Sequence, residues 1–326
     1  MGQWLRTYEE KAPALRLDGL CGCGYWKALL KSCVPDPDLD AYFGVGRTHA
    51  FLLCGPAGVG KTTLARALAG ELGAVGYRFA AVPGEALKGE SEEEDCERIG
   101  ELFLELEEAA ASGETGWCLL LDDLTPLAEE KRAMRVLCMK LQGMAQAGLP
   151  FTAAATAESL ALFPAFLDKY MIPCRISPPD EQERREYLED MFERRIHRES
   201  GLSYEWMVKQ TEGFTYRELS DLSKLAGMLM KQKALDLFGH RRDLMAEAIK
   251  TGKISMTKDL FVQMTERLEE RMPALGLPSG RQENDGKEFK AFSQGTEERH
   301  GTEDGLLPDE EELDFMESLN MDIEDL

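Results

Sequence analysis

A chain of 326 residues, 43% hydrophobic and 30% charged, can bury a sizeable core and suits one large domain or two modest ones. Its 60 acidic residues outnumber 38 basic ones, for a formal charge of -22, which argues against binding nucleic acid or a membrane surface. No uncharged apolar run approaches the roughly 18 residues of a membrane helix, and Met1 to Arg6 lacks the apolar stretch of a secretory signal.

In chain order, residues 1–16 form a short N-terminal segment. From residue 17 to 178, short apolar runs alternate with helix-like stretches. The runs are Ala50 to Cys54, Tyr77 to Val82, Trp117 to Leu121, Phe151 to Thr156 and Ile172 to Ile176. Runs of that length, each followed by a helical pattern, predict βαβ units and a parallel five-stranded sheet. After Pro178-Pro179 the period becomes helical: Asp180 to Arg195, Ser203 to Gln210, Tyr216 to Leu237 and Lys258 to Arg271. Residues 17–178 are thus read as an α/β nucleotide-binding domain and residues 179–272 as a small all-helical lid. Residues 273–326 are read as an acidic, disordered tail. From Arg281 onward the chain holds 16 acids and 4 bases, suited either to a solvated tail or to a peptide that docks in a partner's basic groove. The eight cysteines lack metal-ligand spacing and read as small reduced hydrophobes, which places the chain in the cytoplasm.

The strongest local signal is Gly55-Pro56-Ala57-Gly58-Val59-Gly60-Lys61-Thr62, a phosphate loop of the form Gly, four residues, Gly-Lys-Thr. Glycines let the backbone N–H groups turn inward on a phosphate, and the following helix adds the positive end of its dipole. Lys61 is placed to neutralise the β- and γ-phosphates of ATP and Thr62 to ligate Mg2+. A second buried run, Cys118 to Leu121, ends in Asp122-Asp123. Two adjacent acids at a strand tip serve no packing purpose. Asp122 is assigned to the metal and Asp123 to the attacking water.

These motifs, with others in order, resemble the AAA clade of the AAA+ ATPases over residues 17 to 272. Leu17-Asp18-Gly19-Leu20 looks like the family's opening turn beside the adenine. Gly89-Glu90-Ser91-Glu92 is similar to the segment after the first pore loop, Pro179-Asp180 to the start of the lid, and Gly213-Phe214-Thr215 to the lid turn that carries sensor 2. The resemblance implies a P-loop NTPase three-layer sandwich with a helical lid, assembled as a homo-oligomeric ring, usually a hexamer, that uses ATP to remodel a partner protein. By the same resemblance the nucleotide contacts are Asp18, Gly19, Gly55, Pro56, Ala57, Gly58, Val59, Gly60, Lys61, Thr62, Thr63, Thr156 and Arg217. Thr62 and Asp122 form the Mg2+ pair.

Four departures from the family's pattern stand out, the first three pointing to slow turnover and the fourth to a weaker grip on a threaded chain. Asp123 stands where the family has glutamate, one methylene longer. Ala157 replaces the sensor 1 asparagine, leaving Thr156 or Glu158 to orient water. The arginine-finger stretch, Phe166 to Ile172, offers only Lys169, a point charge without arginine's bidentate fork. The first pore loop, Ala86-Leu87-Lys88-Gly89, has Leu87 where an aromatic is commonest. Arg217 pulls the other way: it is placed either to reach the γ-phosphate or to pair with Glu218 or Asp221. Two readings stay open: a slow ATPase in a ring, and a nucleotide-gated binding module that acts as a scaffold or as half of a mixed AAA+ ring.

Overall fold

A computed structural model describes residues 2–271 apart from 45, 47, 113–114, 195, 240, 242–243, 246, 249–250 and 252. The acidic tail read at 273–326 lies outside the described residues.

Five parallel strands form where the apolar runs predict them: β2 (Thr48–Cys54), β3 (Arg78–Pro83), β4 (Trp117–Asp122), β5 (Phe151–Ala157) and β6 (Ile172–Arg175). Their order across the sheet is β3-β4-β5-β2-β6, in register at Leu121↔Ala155 and Cys54↔Ala157. All five therefore end on one edge, which gathers the phosphate loop after β2 and the acids after β4. Both faces are buried, so the strands read as continuous apolar runs. Phe51, Leu53, Phe79, Ala81, Cys118, Leu120 and Ala154 share a core with Leu64, Leu68 and Leu72 of helix α4 (Lys61–Ala74). The all-buried, alanine-rich β5 is the central strand.

The N-terminal segment contributes more than its sequence suggests. Helix α1 (Gln3–Tyr8) is followed by the two-residue strand β1 (Glu9–Glu10), which pairs antiparallel with β3 as a sixth strand. Glu9 holds Arg78 through bonds of 2.8 and 2.7 Å, and the Arg78 guanidinium lies 4.3 Å from the Trp117 ring centre. The backbone N–H groups of Trp4 and Leu5 donate to the Glu105 carboxylate at 3.0 and 2.9 Å. The sheet is thus mostly parallel, with one short antiparallel edge that apolar patterning does not register. Helices α2 (Gly24–Lys31) and α3 (Pro37–Phe43) precede β2.

After β3 come the single turn α5 (Gly84–Leu87) and the long helix α6 (Glu92–Ser112), which packs on α7 (Lys131–Gln146). Here the stretch read as the first pore loop turns inward. Leu87 is only 1% exposed, so its side chain fills the core and is not presented to grip a chain. Lys88 is clamped between Asp95 at 2.9 Å and Glu130 at 2.6 Å. Arg98 donates to the carbonyls of Ala86 and Lys88.

The lid helices are α8 (Glu181–Arg194), α9 (Tyr204–Gln210), α10 (Tyr216–Phe238) and α11 (Lys258–Arg271). They enclose a second core of Leu188, Met191, Phe192, Met207, Leu222, Phe261 and Met264. Ser203 caps α9 by accepting from Trp206 N at 3.3 Å. A capping box starts α10: the Thr215 hydroxyl accepts from Glu218 N, and the Glu218 carboxylate accepts from Thr215 N at 2.6 Å. No described helix is long and apolar enough to cross a membrane.

Candidate functional site

At the C-terminal edge of the strands, a cleft of about 580 Å³ runs between the phosphate loop and the start of α10. Ala57, Gly58, Val59, Gly60, Lys61, Thr62 and Thr63 line it together with Asp122, Asp123, Thr156 and Arg217. Residues 160 positions apart in the chain meet there because five parallel strands share one edge and the lid turn folds over it.

The loop's geometry follows from its glycines. Gly58 and Gly60 have φ of 84° and 92°, a region that side chains disfavour. A Cβ at Gly58 would stand 2.8 Å from the Thr215 hydroxyl and 3.1 Å from the Arg217 Cβ. Glycine is therefore required both by the turn and by the lid pressed against it. Arg217 N donates to the Gly58 carbonyl at 3.0 Å, which ties lid to loop through the backbone.

Lys61 opens α4 and donates to the carbonyls of Gly55 and Pro56 at 2.6 and 2.9 Å. Burial depresses its pKa below the usual lysine value, opposed by the charges of Glu158, Asp123 and Asp122. Gly55 and Pro56 thus sit at the root of the loop, holding the lysine, while the cleft wall begins at Ala57. Thr62 Oγ1 donates to Asp122 Oδ1 at 2.8 Å, and Thr156 Oγ1 donates to the same oxygen at 2.9 Å. Thr156 Oγ1 also accepts from Asp123 N at 2.8 Å. A hydroxyl and a carboxylate in contact, both hard oxygen donors beside a lysine, fit Mg2+ on a phosphate. Backbone amides, a helix N-terminus and an ammonium with no carboxylate bonded to it among the described residues fit the phosphates themselves.

Other expected residues lie elsewhere. Asp18 and Gly19 form a one-turn helix, and the exposed Asp18 pairs with Lys31 at 2.7 Å, which holds its carboxyl below the ordinary range. The cleft wall there comes from Leu20, Cys21 and Cys23. Lys169 ends a 3-10 turn, Ala165–Lys169, and is exposed outside the cleft wall. The alternative pairing for Arg217 does not form: Glu218 is engaged by Thr215 and Asp221 by Lys224 at 2.8 Å.

Sequence reasoning missed Tyr187 and Tyr216, which line the cleft end near Cys23. The Tyr216 ring lies against Gly60 and its hydroxyl against Gly22, and burial raises its phenol above tyrosine's usual range. The signal available was its place just after the capping Thr215.

Comparison with known proteins bears on the fold and the family. Residues 51–175 match the model of the ATPase family associated with various cellular activities (AAA). Protein SAV of Sulfolobus acidocaldarius is 30% identical over 234 residues, 68% of this chain and 29% of that protein. The cell division cycle protein 48 homolog of Archaeoglobus fulgidus is 26% identical over 245 residues, 72% of this chain and 32% of its own length. The chain spans about a third of the length of the curated relatives it matches. A chain from a study of katanin self-assembly shares the fold at TM-score 0.56 and 21% identity, covering 82% of this chain and 91% of that one. The FIGL-1 AAA domain, solved with ADP, does so at TM-score 0.57 and 16% identity, with the same coverage.

Proposed function

We propose that this chain, which belongs to the AAA family through its domain at residues 51–175, binds Mg-ATP in the cleft and hydrolyses it slowly to remodel a partner protein. The observation that carries this reading is the convergence of Lys61, Thr62, Asp122 and Arg217 on one cleft, with the Thr62–Asp122 contact at 2.8 Å. The backbone of Ala57 to Gly60 and the Lys61 ammonium hold the phosphates. Thr62 and Asp122 hold Mg2+, which neutralises charge on the transferring phosphoryl group. Asp123 and Glu158 are the carboxylates available to orient water. Arg217, free of its neighbouring acids, couples the lid to the γ-phosphate. Lys169, outside its own cleft, is the cation offered to a neighbouring subunit in a hexamer or a mixed AAA+ ring. The buried Leu87 moves the grip on substrate away from the first pore loop, so the acidic tail becomes the leading contact for a partner. All eight cysteines are thiols, as a reducing cytoplasmic setting would keep them.

A second reading rests on the tip of β5. Ala157 offers no polar side chain there, and an Asp123 oxygen is committed to Thr125 N at 3.2 Å. On that reading the chain is a nucleotide-gated module with little turnover. ATP turnover across a series of protein concentrations separates the two, with Lys61→Ala and Asp122→Ala alongside. An assembling ATPase gives turnover per subunit that rises with concentration and vanishes in both variants. Tight nucleotide binding without turnover above the variants selects the switch.

A further inference from the structure

The cleft contains a carboxylate that makes no hydrogen bond or ion pair among the described residues. Glu158 follows β5 directly, is exposed and lines the cleft between Ala157 and the lid. Its backbone N–H donates to Thr125 Oγ1 at 3.4 Å, which joins the turn after β5 to the turn after β4. Its carboxylate takes part in no hydrogen bond or ion pair among the described residues. Asp123 is likewise exposed and lines the same cleft directly after β4, but its carboxylate is engaged. Its φ of 62° lies in the left-handed region. Its N–H is bound to Thr156, and Oδ1 accepts from Thr125 N. The turn thus dictates where that short side chain points.

An unpaired carboxylate beside a phosphate cradle repels the ligand by Coulomb's law, so its placement needs a use that outweighs the cost. Glu158 and Lys61 line the same cleft.

Resting on the Mg-ATP reading above, we propose that Glu158, not Asp123, is the catalytic base of this site. As the water oxygen bonds to the γ-phosphorus, the bond from phosphorus to the β-bridging oxygen breaks and its electron pair leaves with ADP. The water's proton passes to a Glu158 oxygen and then to the released phosphate. The sequence thus moves the longer side chain from the tip of β4 to the tip of β5, two residues after Thr156.

The test is ATP turnover together with affinity for a fluorescent ATP analogue, in wild type, Glu158→Gln, Glu158→Asp and Asp123→Asn. Glu158→Gln lowers kcat by about 100-fold or more and keeps or tightens analogue binding, which also certifies the fold. Glu158→Asp recovers part of the rate, and Asp123→Asn loses less than Glu158→Gln. A wild-type rate in Glu158→Gln, with Asp123→Asn inactive but still binding, overturns the proposal and returns the role to Asp123. Wild-type turnover no higher than Lys61→Ala removes the hydrolysis reading itself and this proposal with it.

Discussion

Two lysines near the same edge of the sheet have opposite surroundings. Among the described residues Lys61 donates only to two carbonyls of its own loop, and burial depresses its pKa. Lys88 sits between Asp95 and Glu130, whose bonds raise its pKa. The contrast teaches how to tell a site from a brace. A half-buried cation without a bonded carboxylate is kept for a ligand, whereas a saturated cation holds chain segments together.

The largest expected effect breaks the first half of that contrast. Lys61→Ala weakens ATP-analogue binding by about 100-fold, equivalent to about 2.7 kcal/mol, without lowering the melting temperature of the nucleotide-free protein. Titration of the analogue and a thermal scan check both parts; a melted variant would make Lys61 a brace as well. Asp95→Ala tests the second half. Asp95 is fully buried, and its loss strands the Gly89 N–H and half of Lys88's bonding. The expected cost is about 2 kcal/mol, or roughly 4–8 °C in Tm, with analogue affinity within about twofold. An affinity loss as large as that of Lys61→Ala would merge the two regions into one functional unit.

The smallest effect concerns pH. Because the folded-state pKa of Lys61 is depressed, its charged form is disfavoured on folding. That penalty is full below the depressed value and is relieved as pH rises from it toward lysine's ordinary 10.5. Nucleotide-free wild type therefore gains stability relative to Lys61→Met across that alkaline window. The difference is under about 1 kcal/mol, given a half-exposed group, and denaturant midpoints at pH 7 and pH 10 measure it. A difference that is constant with pH would mean that the ammonium feels no burial.

What could be read in advance followed from contiguity. Gly55 to Thr62 is one unbroken stretch whose backbone needs are local, and the five strands announce themselves as apolar runs. Asp122 was legible because a carboxylate ending a buried strand has no packing role. The rest depended on residues distant in the chain. Glu9 and Glu10 look solvated until Arg78 and Arg66 are placed opposite them. Leu87 looks like a loop residue until the clamp on Lys88 and the Arg98 bonds draw the turn inward. Glu218 read as a partner for Arg217, although Thr215 three residues before it already spelled a capping box. Glu158 was noticed beside Thr156, but only the committed bonding of Asp123 separates the two acids.

The bond from Arg217 N to the Gly58 carbonyl joins the phosphate loop to the base of a 23-residue helix. At 1.5 Å per residue that helix is a rigid arm of about 35 Å, so a tilt of about 10° at the loop swings its far end by about 6 Å. A displacement too small to notice around a phosphate is thereby magnified to the scale of a side chain at the other end. The exposed Met228 and Leu237 ride on that arm, so any neighbour touching them would sense the loop mechanically.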